Sequence, residues 1–313
     1  MTPASLFGPL ISCQSIEAHV ALFSGLLGME PMGSDSALSA SAVYALFGTA
    51  GRDARWQVLQ TPGTRTGVVL LEFSPPPAGC MRDRSTALYA DALKVIDFYV
   101  PEFDRMLAHV AACGYALEPD VAAYDLPEGR FREAHLWGPD NVILGLLGGP
   151  ADFFRRFAIV TDRMFSEVQS ISTPVSDLPA VQAFYDEVLG LSTVYEYRIS
   201  DPSFADLIGT SGQLHLRATN IGRCTEEPYF GLIDYGLADG QVPSLRNRGR
   251  LLARGVTGAV VLVADIAAAI ADAQRRGDHH SEIISLAMPC SSDTSVARVE
   301  APHGVGHLLV QPP

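Results

Sequence analysis

Acidic, imidazole and phenol side chains recur two residues apart along short apolar runs of this chain, and on an extended backbone such residues share a face. In LKVIDFYV, Asp97 and Tyr99 share one; in QLHLRA, His215 and Arg217; in STVYEYRI, Tyr195 and Tyr197. Asp234 and Tyr235 stand in the next run, YFGLIDYG, and Glu72 interrupts another, GVVLLEFS. His135, with Arg132, lies in REAHLWGPDN, read as a loop just ahead of a turn. A carboxylate in apolar surroundings has a raised pKa and can take a proton from carbon. A histidine, an arginine and an aspartate on one face can orient a carboxylate or an enol, while alternating tyrosines can stack on an aromatic ligand or pack in a core. Arg132 and His135 would supply an anion contact and a proton donor.

Other chemistries are poorly served. There is no Gly-x-Ser-x-Gly elbow for a serine hydrolase, and GTAG and GTSG do not complete a nucleotide loop. His279 and His280 are adjacent, so they point apart; His303 and His307 are four apart in a segment that reads as turn and strand rather than helix. The five cysteines, Cys13, Cys80, Cys113, Cys224 and Cys290, are scattered without a CxxC pair, which favours reduced, mostly buried thiols over a zinc ribbon or a disulfide framework. A formal charge of −13 repels phosphate backbones, so nucleic acid is not an expected partner. No apolar stretch reaches the roughly 18 to 20 residues of a membrane helix. The opening residues lack the basic region of a signal peptide, and a cytoplasmic protein is expected.

The elements that must carry these residues are repeated. LFGTAG (46–51) recurs as LIGTSG (207–212), and HVALFSGLLGM (19–29) matches VQAFYDEVLGL (181–191). Four amphipathic segments end at Gly28, Gly114, Gly190 and Gly277, where glycine can take the left-handed conformation that closes a helix, and Asp265 is placed to cap the last. The chain thus divides into four units of roughly 80 residues in A-B-A-B order, each reading β-α-β-β-β, as after a gene duplication. GTAG and GTSG are expected as tight turns between strands. The fold class is α+β, with four βαβββ modules paired into two curved-sheet half-barrels and helices outside. Modules at about 1–85 and 90–150 would form a first domain, 1–150; modules at about 163–245 and 252–313 a second, 160–313.

The segment VSDLPAVQAFYDEVLGL (175–191) resembles the first strand end and helix of the vicinal oxygen chelate superfamily, which includes glyoxalases, bleomycin-resistance proteins and extradiol dioxygenases. GPDNVILGL (138–146) resembles its closing strand, and the resemblance runs through nearly the whole chain. It implies a metal in a cup, held by side chains at the start of each module's first strand and on its last. Here the first-strand positions fall on Gly8, Val95, Ser170 and Gly258, and the last-strand positions on Leu144 and about Val310, with Glu72 and Asp234 in modules one and three. No register gives two histidines and a carboxylate, so iron-dependent ring cleavage is not expected. The resemblance also sets the strand of Glu72 beside that of Asp97. Two such carboxylates in a cup would form an acid–base pair, or hold a hard divalent metal through oxygen.

The expectation is therefore an enzyme for a small oxygenated, aromatic or polyketide-like molecule, doing proton-transfer, isomerase or lyase chemistry. Glu72, Asp97 and His135 would be catalytic; Tyr99, Arg132, Tyr195, His215, Arg217 and Asp234 would bind substrate. No cofactor is predicted, although a divalent metal on non-standard ligands stays open, as does a homodimer. A metal-free protein that binds or sequesters small molecules is the alternative.

Overall fold

The computed structural model describes residues 3–210, 214–238, 241–250, 252–288 and 291–313. The first module comprises β1 (Ser5–Cys13), α1 (Ile16–Phe23), β2 (Glu30–Leu38), α2 (Ala40–Phe47), β3 (Asp53–Gln60) and β4 (Gly67–Ser74). The second comprises β5 (Val95–Tyr99), α3 (Phe103–Ala112), β6 (Leu117–Leu126), β7 (Gly129–Trp137) and β8 (Ile143–Gly148). After α4 (Ala151–Phe154) comes the third: β9 (Val168–Pro174), α5 (Leu178–Leu189), β10 (Ser192–Ile199), α6 (Pro202–Leu207), β11 (Leu216–Gly222) and β12 (Tyr229–Asp234). After α7 (Arg246–Arg250) the last module follows: β13 (Gly255–Leu262), α8 (Ile266–Arg276), β14 (Ile284–Met288), β15 (Ser291–Glu300) and β16 (Gly306–Gln311). The βαβββ grammar therefore holds in all four.

Local chemistry starts and stops the helices. Ser15, Asp177 and Asp265 cap α1, α5 and α8 by accepting from the amides of Ala18, Ala180 and Ala268. Gly190 and Gly277 close α5 and α8 in the left-handed conformation. The repeated phrase has a different role from the one expected. LFGTAG ends helix α2, with Gly48 as its left-handed cap, and LIGTSG follows helix α6, with Gly209 at positive φ; Ser211 and Gly212 lie outside the described residues. In each case a short helix interrupts the path between two strands. The cysteines Cys13, Cys80, Cys113 and Cys224 are free; Cys290 is outside the described residues. No described helix is long and apolar enough to cross a membrane.

The strands form two sheets of eight among the described residues, in the orders β14-β15-β16-β13-β1-β4-β3-β2 and β10-β11-β12-β9-β5-β8-β7-β6. Module one is thus paired with module four, and module two with module three. This corrects the division into paired-module domains 1–150 and 160–313. The connections at 75–94, 149–167 and 235–254 are of nearly equal length, so length could not signal which modules share a sheet. The first and last connections run together instead: the Met81 amide donates to the Arg254 carbonyl at 2.7 Å, and the Asp91 amide to the Pro243 carbonyl at 2.9 Å. Arg82, fully buried, secures the first connection by donating to the carbonyls of Ala87, Ala90, Ala92 and Leu93.

At the centre of each sheet the first strands of two modules lie antiparallel, β1 on β13 and β5 on β9, each flanked by its own module's last strand in parallel. In the first sheet this crowding is relieved by glycine. A Cβ on Gly8 would run into the Gly67 carbonyl, and one on Gly258 into the Gly306 carbonyl. The cup of this sheet is filled by Leu10, Trp56, Val69, Leu71, Phe73, Val260 and Leu308, with Val43 and Leu46 of α2 lying in it. Most of it is packed, with a smaller hollow left beside Phe47, Thr257 and Arg298.

Gly258→Ala should therefore destabilise the protein by about 2 kcal/mol or more, as overpacking does. Gly79→Ala, where an added Cβ meets nothing within 4 Å, should change stability by less than about 0.5 kcal/mol. Urea unfolding midpoints of the two variants measure the contrast.

Candidate active site

The inner face of the second sheet differs in kind. Reading across it from β6 to β10, the inward residues are Tyr124, Phe131, Glu133, Leu147, Asp97, Ser170, Ser172, Tyr229, Gly231, Ile233, Asn220, Tyr197 and Tyr195, which line a cleft open at its mouth. Phe153 and Phe154 from α4 and Phe204 from α6 cover it. The two ends of the sheet meet at a seam. Ser203 Oγ accepts from the Ala123 amide at 2.9 Å and donates to the Ala123 carbonyl at 3.2 Å, so α6 satisfies the free edge of β6. Tyr195 Oη donates to Glu128 Oε1 at 3.0 Å across the same gap.

Asp97 lies at the middle of the floor, opposite Ser170 across the β5–β9 pair and beside Gly145 of β8. A side chain at position 145 would collide with its carboxylate, so glycine there makes the room Asp97 occupies. Its Oδ2 accepts from Ser170 Oγ at 2.6 Å and from Ser172 Oγ at 2.7 Å. The residue is only 4% exposed. Burial, then the nearby Glu133 carboxylate, push its pKa up to about 7; the two serine bonds and Lys94 oppose this without cancelling it.

Glu133 and His135 share the inward face of β7, with His135 Nε2 2.9 Å from Glu133 Oε1. Burial depresses the imidazole, which is neutral at pH 7. Its Nδ1 has no partner, which fits a neutral ring carrying its proton on Nε2 toward Glu133. Burial acts to raise Glu133, yet the His135 bond and the charge of Lys94 leave it below the usual carboxylate range, so the neighbour that presses on Asp97 is ionised. Lys94, just ahead of β5, lines the same cleft with its Nζ 3.1 Å from Tyr235 Oη.

Asp97 and Tyr195 thus come together in the cleft, and Tyr195 stacks on Tyr197 with ring centroids 5.9 Å apart. Tyr99 lies beside them beneath α4, stacked on Phe154 at 3.9 Å. His135 is in strand β7 rather than in a loop, and reaches the site through Glu133. The others are placed elsewhere. Glu72 is in the other sheet, on the face away from the cup: it accepts from the Ile16 amide at 2.8 Å and pairs with Arg55 at 2.9 Å, so it fastens α1 and cannot join Asp97. Arg132 faces outward, over the Phe103 ring and paired with Asp104 at 2.8 Å. His215 is exposed and 3.3 Å from Ser200 Oγ. Arg217 pairs outside with Glu196 at 2.8 Å, and Asp234 accepts from the Gly236 amide. In each of these strands the inward set is the other one, Leu71 rather than Glu72, Glu133 rather than Arg132, Ala218 and Ile233 rather than Arg217 and Asp234.

Three floor residues escaped sequence reasoning. Glu133 stands two residues before His135, a spacing that already put them on one face. Gln169 is the extra residue of a bulge, because Asp97 is opposite Ser170 while Phe98 is opposite Val168. It is 3% exposed, lines the cleft, and has both amide atoms unpartnered. Lys94 carried the plainest signal, since it is the single lysine of the sequence.

A metal of the type the resemblance implies does not fit this floor. Beside Asp97 stand serine hydroxyls and a glycine, and among the described residues no three His, Cys, Asp or Glu side chains are grouped to hold an ion.

No family model matches the sequence, and no curated protein does. Solved structures match over nearly the full length. A point variant of glyoxalase I from Zea mays aligns with a TM-score of 0.61 at 10% identity, covering 98% of this chain and 92% of that one. Glyoxalase I from Zea mays itself gives 0.59 at 11%, with the same coverage. A candidate dioxygenase from Bacillus subtilis gives 0.59 at 10%, covering 99% of this chain and 86% of that one. At such identities the likeness is one of architecture. The chain has the vicinal oxygen chelate fold, arranged as four modules in two half-barrels.

Proposed function

We propose that the cleft of modules two and three binds a small oxygenated organic molecule with a planar or aromatic part and moves a proton on the carbon next to its carbonyl. Asp97 is the general base, in isomerase- or lyase-type chemistry. One observation carries this reading: a carboxylate buried on the floor of an aromatic cleft and poised near neutrality. The two serine bonds fix Oδ2 and hold the carboxylate in place. Burial keeps the phenols of Tyr124, Tyr197 and Tyr229 protonated, so they are donors for the oxygen that gains charge as the proton leaves. The aromatic cover limits the water that reaches the floor and so strengthens each of these interactions.

The fold of the solved neighbours, glyoxalase I among them, supports an enzyme without specifying its substrate. A second reading, a protein that sequesters a planar molecule, draws on the rings of Tyr124, Phe131, Phe153, Tyr195, Phe204 and Tyr229 around the cleft.

Proton–deuterium exchange at the α-carbon of a panel of aryl and alkyl ketones, followed by NMR in heavy water, separates the two. Exchange should rise with pH through about 7. Asp97→Asn should lower it about 100-fold or more. Tight stoichiometric binding with no exchange by the wild type would leave only sequestration.

Stability gives an independent check of the same group. A carboxyl raised in the folded state favours folding below its unfolded pKa, and that contribution is lost as pH rises through about 7. Asp97→Asn should therefore be more stable than wild type at pH 8.5, by up to about 4 kcal/mol, and the gap should close as pH falls below the unfolded carboxyl pKa of about 4. Urea unfolding at the two pH values measures it.

A further inference from the structure

We propose that Lys94 is a covalent site: its amine condenses with an aldehyde or ketone in the cleft to form an imine. This makes carbonyl compounds the substrate class of the pocket. The purpose of the imine rests on the proton-transfer reading above; its detection does not.

Lysine and arginine together number 22, and every one but Lys94 is arginine. Arginine is always charged, whereas lysine can shed its proton and become a nucleophile. The chain meets every other need for a basic side chain with arginine and keeps an amine at one place, the floor of the aromatic cleft. There Lys94 is 2% exposed and shares the lining with Asp97, Gln169 and Ser172. Buried lysines are ordinarily paired with carboxylates. Among the described residues Lys94 has no ion pair, only the Tyr235 hydroxyl at 3.1 Å. Its backbone is fixed from both sides. Its own amide donates to the Ser172 carbonyl at 2.8 Å, and Arg82 holds the carbonyl of Leu93.

The groups that act on the amine are Glu133 from β7 and Asp97 from β5, which favour its charged form, and Arg82 from the 75–94 connection, which opposes it. Burial outweighs them and brings the amine down to about 8, so a useful fraction is neutral at physiological pH. The Nζ lone pair attacks the carbonyl carbon, a C–N bond forms, and the carbonyl electron pair moves to oxygen, which takes a proton. Nitrogen gives up one proton. The hydroxyl takes another from protonated Asp97 and departs as water, and the nitrogen pair closes the C=N bond. One amine, one carbonyl and the Asp97 proton become one protonated imine and one water, with no oxidant or reductant. Protonated, the imine draws electrons from the adjacent carbon, whose proton the Asp97 carboxylate then removes. The unpartnered Gln169 amide is a hydrogen-bond partner for the oxygen before it leaves.

The chain's lysine content makes the test clean, because the only other amine is the one at the N-terminus. Folded wild-type protein is incubated with benzaldehyde or propanal and sodium cyanoborohydride, digested and mapped by mass spectrometry. The expected result is a reductively trapped benzyl or propyl group on Lys94, with a labelling rate that climbs through about pH 8 and an adduct absent at position 94 in Lys94→Arg. Labelling of the N-terminal amine alone with both aldehydes, or of Lys94 only after unfolding in urea, would overturn the proposal and leave a buried structural amine. Ketone exchange that fails in Asp97→Asn while no adduct forms on Lys94 removes the imine and keeps the base. An adduct on Lys94 with undiminished exchange in Asp97→Asn keeps the imine and removes the base.

Discussion

Where β5 meets β9, a carboxylate is held out of water with two hydroxyls, and among the described residues no cation, as its direct partners. Removing a charge from water costs several kcal/mol unless it is compensated, and here the compensation is partial. The floor of the cup follows from that constraint. Gly145 leaves space for the carboxylate, Ser170 and Ser172 supply its hydrogen bonds, and Gln169 bulges out beside them. Lys94 and Glu133 act on it with opposite sign. A group kept near neutrality by its surroundings is the property that a proton-transfer site needs and that a merely structural carboxylate does not.

The two half-barrels share one grammar and put it to different ends. In the first, glycines at 8 and 258 let backbones close together, and aliphatic and aromatic side chains fill the hollow. In the second, the corresponding central strands carry Asp97 and Ser170, and the hollow stays open under a roof of phenylalanines. The inserted helices follow suit: α2 lies inside its cup, while α6 sits at a seam and satisfies a strand edge. Similar parts thus give one half-barrel whose hollow is largely filled and one whose hollow is a lined cleft.

Much of this was legible before any coordinates. Helix ends could be read because capping chemistry is local: Asp265 and Gly277 act at the positions the sequence assigns them. The fold class followed from the repeat. Which face of a strand looks inward was harder to read, since a slip of one residue reverses every side chain. Glu72, Arg132, Arg217 and Asp234 all sit on outward faces for that reason, while Asp97, Tyr195 and Tyr197, in runs whose alternation is clear, face inward. Partner choice among modules was not encoded locally at all, because alternatives separated by similar connections bury similar surfaces. Lys94 needed no alignment or geometry to be noticed, only a count.

The pairing of the first module with the fourth bears on the order of assembly. Strand β1 lies against β13, most of the length of the chain away, whereas the modules of β5 and β9 are joined through a single short connection. As the polypeptide leaves the ribosome, the sheet that holds the open cleft has all its strands before module four is made. Module one must wait with one flank uncovered until module four emerges, although modules two and three are made in between.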